Sequence, residues 1–324
     1  MHRRREMMRA LAGIDIGGTL VKSLLVDEEF REISFREFPT PRSGGPEEAF
    51  REIEERLIRQ ADESGATLSG LAVAVPGIVT PGTDRVVECP NLAGWRDFSL
   101  SPLLPRLKEA LLSVENDANA GAFGEHFCGA ARGKESFVYI ALGTGVGGGL
   151  FLNGRIHRGA FGRAGEVGHI PVSDGPSPCG CGGTGHVESF AGARGILRRA
   201  REFYGEDAPG DTEELARRAR EGDGTARAIF EEAGASLGRG IAAIVNVVDV
   251  STVVLAGGLA GALDLMEDAI RRQVAHNTFG IDPSLVEILV GENGSRAGCV
   301  GAAAIALTEL KKRKEGRYGD TDAS

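Results

Sequence analysis

The chain is short of cysteine, of positive charge and of long apolar runs, and each shortage removes a class of protein. Its five cysteines are an odd number in 324 residues. Cys89, Cys128 and Cys299 are scattered and only Cys179 and Cys181 lie close together, so no disulfide framework is expected and the close pair reads as part of a metal site. Acidic side chains outnumber basic ones 46 to 37, a formal net charge of −9, which argues against sequence-independent binding to nucleic-acid phosphates. Uncharged stretches such as Phe137–Asn153 stop short of the about 18 apolar residues of a membrane-spanning helix and are broken by glycine. The basic start Met1-His2-Arg3-Arg4-Arg5 is not followed by the apolar stretch of a secretory signal, because Asp15 interrupts it, so a cytoplasmic protein is expected. Two nucleotide signatures are also missing: the G-x-x-x-x-G-K-[ST] loop, and a G-x-G-x-x-G that opens a helix with an acidic residue about 20 positions later.

What is present is an ordinary soluble composition, 42% apolar and 26% charged, with length for roughly two domains. Glycine is the exception: 48 residues is about twice the usual ~7%, and these glycines must serve particular turns. Leu11–Ile16 and Val21–Val26 read as strands around a Gly17-Gly18-Thr19 turn, with a third strand at Ile33–Phe38. From Pro46, the apolar residues Phe50, Ile53, Leu57 and Ile58 follow one helix face. A buried strand at Gly70–Val75, a helix near Leu103–Leu112, a short strand ending at Glu115 and a helix over Asp117–Phe127 capped by Asn116 or Asp117 follow. The strand, glycine turn, strand pattern then returns at Phe137–Leu142 and Gly143–Gly149, a weak internal duplication. Helices through Ile229–Val245, near Leu263–Val274 and over Ala297–Leu310 flank a strand at Val250–Leu255. Lys311–Lys314 and Gly319–Ser324 read as a solvated tail. Interleaved strands and helices imply an α/β protein with two sheets.

Three constellations carry chemistry. Asp15-Ile16-Gly17-Gly18-Thr19, Gly143-Thr144-Gly145-Val146-Gly147 and Ala256-Gly257-Gly258 each follow an apolar strand. Glycine lets backbone N–H groups close around an anion, although each turn by itself also reads as a plain hairpin or bulge. Two hydroxyl-bearing glycine turns opening two similar halves fit a nucleoside triphosphate. Glu115-Asn116-Asp117-Ala118-Asn119 puts four polar residues at a strand end and helix start. There the helix N–H dipoles keep Asp117 ionised, which suits a base accepting a hydroxyl proton in phosphoryl transfer, while a helix cap accounts for one of the four. Two cysteines and two histidines, His169, Cys179, Cys181 and His186, lie within 18 positions of a glycine-rich loop and make a four-ligand tetrahedral zinc set, with buried free thiols as the alternative. Glu166 and Glu188 flank this set, placed to face a polyhydroxylated ligand or simply solvent.

Taken together, Asp15–Thr19, Glu115–Asn119, Gly143–Gly149, Gly165-Glu166-Val167-Gly168-His169 and Cys179-Gly180-Cys181-Gly182-x-x-Gly185 resemble the ROK family of sugar kinases and sugar-responsive repressors, over nearly the whole chain. The resemblance implies an actin-like, ribonuclease H-like ATPase fold, with two α/β domains closing on ATP and a hexose in the cleft between them. It implies a smaller domain over residues 1–125, completed by a C-terminal helix near 298–315, and a larger one over 126–297 that carries the zinc loop. Asp117 becomes the base, Asn116, Glu166, His169 and Glu188 the holders of sugar hydroxyls, and Asp15, Gly17, Gly18, Thr19, Gly143, Thr144 and Gly145 the phosphate loops. Gly257 and Gly258 lie near the adenosine. ATP, Mg²⁺ and Zn²⁺ are the implied cofactors, and a homodimer is what the family suggests.

The family's metal loop resembles C-x-C-G-x-x-G-C, and His186 stands where its last cysteine would be, so the ligand set becomes two histidines and two cysteines. Leu20 occupies the place of a lysine common after the first glycine turn, and Lys22 receives no phosphate role. Repressors of the family carry a DNA-binding segment of several tens of residues, whereas about ten precede the first strand here, so no nucleic-acid partner is expected. Asn91-Leu92-Ala93-Gly94-Trp95 resembles a stretch of bacterial ROK glucokinases, favouring glucose over N-acetylmannosamine, fructose or allose as the phosphoryl acceptor.

Overall fold

The computed structural model describes residues 8–41 and 44–316. In chain order its elements are β1 (Met8–Ile16), β2 (Leu20–Val26), β3 (Glu32–Pro39), α1 (Gly45–Glu63), β4 (Ala66–Val75), β5 (Ile78–Val79), β6 (Arg85–Glu88), β7 (Arg96–Ser99), β8 (Leu111–Asn116), α2 (Asp117–Cys128), β9 (Phe137–Leu142), β10 (Val146–Leu152), β11 (Arg155–Ile156), α3 (Glu188–Ala191), α4 (Ala193–Tyr204), α5 (Thr212–Arg220), α6 (Gly224–Val248), β12 (Thr252–Ala256), α7 (Glu267–Asn277), β13 (Glu287–Val290) and α8 (Ala297–Lys314). They form two compact units. The first takes the chain up to Arg132, Arg158–Ala164 and the chain from Arg296; the second takes Gly133–His157 and Gly165–Ser295.

The first unit holds a five-stranded sheet ordered β3-β2-β1-β4-β8, the second one ordered β11-β10-β9-β12-β13. In both, three consecutive strands pair antiparallel and the next two join parallel to the first of them. The repeated pattern in the sequence is therefore one topology built twice. A small antiparallel sheet, β5-β6-β7, completes the first unit.

The central strand β1 reads as an unbroken apolar run because helices cover both of its faces. Side chains alternate across a strand, so Ala12, Ile14 and Ile16 join Phe50, Ile53 and Leu57 of α1 in one core, while Leu11 joins Cys299, Ala303 and Leu307 of α8 in another. Asp15 follows Leu11 and Gly13 onto the α8 face. At Gly13 a side chain is impossible: a Cβ would stand 2.1 Å from Cys299 O and 2.3 Å from Ala303 N, so the α8 backbone lies directly on the strand.

Three expected elements differ. Leu103–Leu112 is no helix but two short 3₁₀ turns, Ser101–Leu103 and Pro105–Leu107. Pro102 and Pro105 break the N–H ladder, and Leu111 and Leu112 are taken into β8 opposite Gly70 and Leu71. The helix expected near Leu263 starts only at Glu267, after the 3₁₀ stretch Gly258–Leu265, whose glycines weaken an α-helix. Lys311–Lys314 is the last turn of α8 rather than a loose tail, its cations set against the negative end of the helix dipole. The basic start and Gly319–Ser324 lie outside the described residues. No described helix is long and apolar enough to cross a membrane.

Candidate active site

In the first unit, β1 and β2 are joined by Gly17-Gly18-Thr19. The turn is tied down by Gly17 N–H to Leu20 O at 2.9 Å and Thr40 N–H to Thr19 O at 2.9 Å, and the Thr40 hydroxyl donates to Gly17 O at 2.7 Å. Gly18 and Thr19 are exposed. Asp15, just before the turn, sits opposite Lys22 in the β1–β2 register. Burial pushes its carboxyl up from 3.8 to about 6, against the opposing pull of the Lys22 charge.

β8 runs directly into α2 with no intervening loop. Asn116 is the cap: its side-chain oxygen accepts from Ala118 N–H at 2.9 Å and Asn119 N–H at 3.0 Å, which is what asparagine does at a helix start. Its amide donates to Gly77 O and to Asp117 Oδ1, both at 3.1 Å. Asp117 Oδ1 also accepts from Ala118 N–H at 2.9 Å. Asp117 thus occupies the first helical position, half-buried, with its carboxylate beside the positive helix end. The thiol of Cys89, pushed up to about 12 by burial and then by the Asp117 and Glu88 charges, lies within the field of this corner. Of the Asn91–Trp95 segment, Trp95 is buried against Phe50, ring centroids 5.4 Å apart, and packs the core, while Asn91 is exposed.

The second unit repeats the first turn and adds to it. Gly143-Thr144-Gly145 joins β9 to β10, with Thr144 exposed. Its carbonyls receive the first N–H groups of α4, Ala193 to Gly143 O at 2.9 Å and Arg194 to Thr144 O at 3.3 Å. Glu188, opening α3, accepts the Val146 N–H on Oε2 at 3.0 Å, and its other oxygen stands 3.5 Å from Cys179 Sγ. A Cβ on Gly145 would fall 2.2 Å from that carboxylate, so glycine there is what lets Glu188 reach the turn. After β12, Gly257 adopts φ +92° and packs under Leu142 O, and Gly258 opens the following 3₁₀ stretch.

His169, Cys179, Cys181 and His186 bring one ligand atom each within 4.8 Å of all the others. Cys179 Sγ lies 3.6 Å from His169 Nδ1 and Cys181 Sγ 3.4 Å from His186 Nδ1. Two ligands at roughly 2.3 Å (sulfur) and 2.0 Å (nitrogen) from a tetrahedral zinc are themselves about 3.5 Å apart, so donor set and spacing both fit that ion. Nδ1 of each ring faces sulfur, and His169 Nε2 turns toward Glu166, 3.9 Å from its carboxylate. The loop is held as a narrow hairpin, with Cys179 N–H to Gly183 O at 2.9 Å and Val187 N–H to Ile170 O at 3.0 Å. Burial pushes the Cys179 thiol up, an environment in which a bound cation would compensate the thiolate.

The sequence model of the ROK family matches residues 11–309. The chain belongs to the ROK family. Its two five-stranded sheets belong to the duplicated halves of the actin-like ATPase fold. It is 30% identical over 326 residues to a glucokinase of Halalkalibacterium halodurans, covering 95% of this chain and 98% of that one. To an N-acetylmannosamine kinase of Escherichia fergusonii it is 34% identical over 299 residues, covering 91% and 98%. Among solved structures it is similar to a ROK family glucokinase from Streptomyces griseus in complex with glucose and AMPPNP, with TM-score 0.78, 30% identity and coverage of 92% and 99%.

Two residues that the sequence reading left without a role stand at the β8–α2 corner of this ROK protein. Glu115, only 4% exposed, accepts from the groups around it, and Arg158 donates to it from 43 positions away. Glu115 has a signal in the sequence, a carboxylate ending an otherwise apolar strand. Arg158 has none, because only the fold brings it there.

Proposed function

We propose that the protein is an ATP-dependent hexose kinase that transfers the γ-phosphoryl group to the sugar 6-hydroxyl, with glucose the favoured acceptor. The observation that carries this reading is shared by three turns. Gly18, Gly143 and Gly258 have nothing within 4 Å of a would-be Cβ and no left-handed φ, so the fold itself makes no demand for glycine at any of them. A ligand that must approach the backbone closely supplies the demand, and phosphate oxygens and a nucleoside seated on N–H groups are such ligands. MgATP is then held by Asp15, Gly17, Gly18, Thr19, Gly143, Thr144 and Gly145, with Gly257 and Gly258 toward the adenosine.

Asp117 accepts the hydroxyl proton and orients the attack, while its own orientation comes from Asn116 Nδ2 and Ala118 N–H. Asn116, Glu166, His169 and Glu188 hold the other hydroxyls. Zinc on His169, Cys179, Cys181 and His186 would have four protein ligands and no open position, and so would supply structural order rather than reactivity. With Nδ1 turned to the metal, His169 keeps Nε2–H for a sugar oxygen. Glucose is favoured by the Asn91–Trp95 resemblance; the N-acetylmannosamine kinase relative keeps that sugar as the second acceptor. ADP release with MgATP and glucose, mannose, fructose, allose or N-acetylmannosamine in turn, and identification of the phosphorylated position by phosphorus NMR, tests the reading. ADP release that no hexose stimulates would end it.

A further inference from the structure

Glu115 is buried and takes no part in the chemistry just proposed, yet four donors converge on it within the first unit. Oε1 accepts from Asn116 N–H and Asn119 Nδ2, both at 3.0 Å. Oε2 accepts from Arg158 Nε at 2.8 Å, with Arg158 Nη2 2.5 Å away. The carboxylate side chain is 5% exposed and the arginine 41%, so the pair is desolvated on the acid's side and open to water on the other.

Arg158 also begins a loop with a construction of its own. Ala164 N–H donates back to Arg158 O at 3.1 Å, closing residues 158–164 on themselves, and Gly159 and Gly162 take φ of 70° and 68° to make the bends. A Cβ at Gly162 would stand 2.3 Å from Val79 O, so the loop rests directly on β5. Both of its attachments are therefore to the first unit, one on β5 and one on the residue preceding Asn116 and Asp117. The chain leaves the loop at Gly165 and Glu166 follows.

We propose that Arg158 and Glu115 are positioning residues for hexose phosphorylation: their ion pair holds the β8–α2 corner that carries Asn116 and Asp117, and fastens to that corner the loop that leads into Glu166. The inference rests on the kinase reading. Without the guanidinium, Glu115 is a buried carboxylate lacking its cation. It must then draw in water or a proton, and Asn116 N–H and Asn119 move with it. A displacement of about 1 Å in a reacting pair can cost about a hundredfold in turnover.

The test is steady-state kinetics and thermal melting of R158M, R158K, E115Q and the E115Q/R158M double variant, after the parent's own turnover has been measured. R158M should lower hexose kcat/KM by roughly tenfold to a hundredfold and leave the KM for MgATP within about twofold; its melting temperature should fall, because a buried carboxylate has lost its cation, and the double variant should recover most of that fall. R158K should recover part of the loss. The double variant should be no worse than R158M, because the side-chain oxygen that E115Q retains still accepts from Asn116 and Asn119, and an amide needs no cation. Unchanged hexose kcat/KM in R158M, a parallel rise in the KM for MgATP, or independent addition of the two single effects would each overturn the proposal. A parent that phosphorylates no hexose would instead refute the kinase reading, and this inference with it.

Discussion

Glu188 Oε2 accepts the backbone N–H of Val146 at 3.0 Å, so one acid joins the second glycine turn to the cysteine loop, its other oxygen facing Cys179. An uncharged oxygen can keep the Val146 bond but not the strength of a charge-assisted one to a sugar hydroxyl, worth about 1.5–3 kcal/mol. Glu188→Gln should raise the hexose KM by roughly one to two orders of magnitude with little change for MgATP. Gly145→Ala displaces the carboxylate from the turn, so both KM values should rise while the fold survives. Gly18→Ala, with open space around it, should leave the melting temperature alone and weaken MgATP only. A Gly145→Ala enzyme with parental KM values would contradict the link.

Asp117→Asn keeps the size and the Ala118 N–H bond but removes the proposed proton acceptor. Turnover should fall by about 10²–10⁴-fold, with the melting temperature and much of the hexose affinity retained. Near-parental turnover takes Asp117 out of the mechanism.

Asp15 titrates near pH 6 in the folded chain rather than at 3.8, because burial favours the neutral acid. Its contribution to stability is fully present below about pH 4 and is lost as pH rises through about 6. Asp15→Asn should therefore melt a few degrees higher than the parent at neutral pH and no higher near pH 4. MgATP held through Asp15, as proposed, would have the opposite preference, for the carboxylate. In the parent its KM should fall as pH rises from about 5 to 7, a trend absent from the Asn variant. A KM for MgATP that is flat with pH in both proteins would contradict the proposed role.

Elemental analysis should find one zinc per purified chain. His186→Cys should retain it, since sulfur and nitrogen both suit a tetrahedral site. Chelation should raise the hexose KM selectively, by freeing the His169 ring whose Nε2 points toward Glu166. If chelation weakened MgATP and hexose equally, or unfolded the chain, the metal would be a general staple of the loop; active protein without zinc would remove the claim altogether.

Where signals are local, the sequence alone was sufficient. The apolar run of β1 and its glycine turn, the asparagine cap on α2, the repeat of strand, turn and strand, and the cluster of His169, Cys179, Cys181 and His186 around one glycine-rich loop are each read within a few tens of positions. Period, turn chemistry and ligand type act at that range. The two proline-interrupted turns before β8 imitate a helix because Leu103, Leu107 and Leu111 carry helical spacing, and only pairing of Leu111 and Leu112 with β4 reveals the strand. Which nitrogen of His169 faces sulfur, the hydrogen bond from Val146 to Glu188, the rise in the Asp15 pKa and the Arg158–Glu115 pair were decided by tertiary structure. Each depends on groups brought together from distant parts of the chain, and on burial, which no single segment possesses by itself.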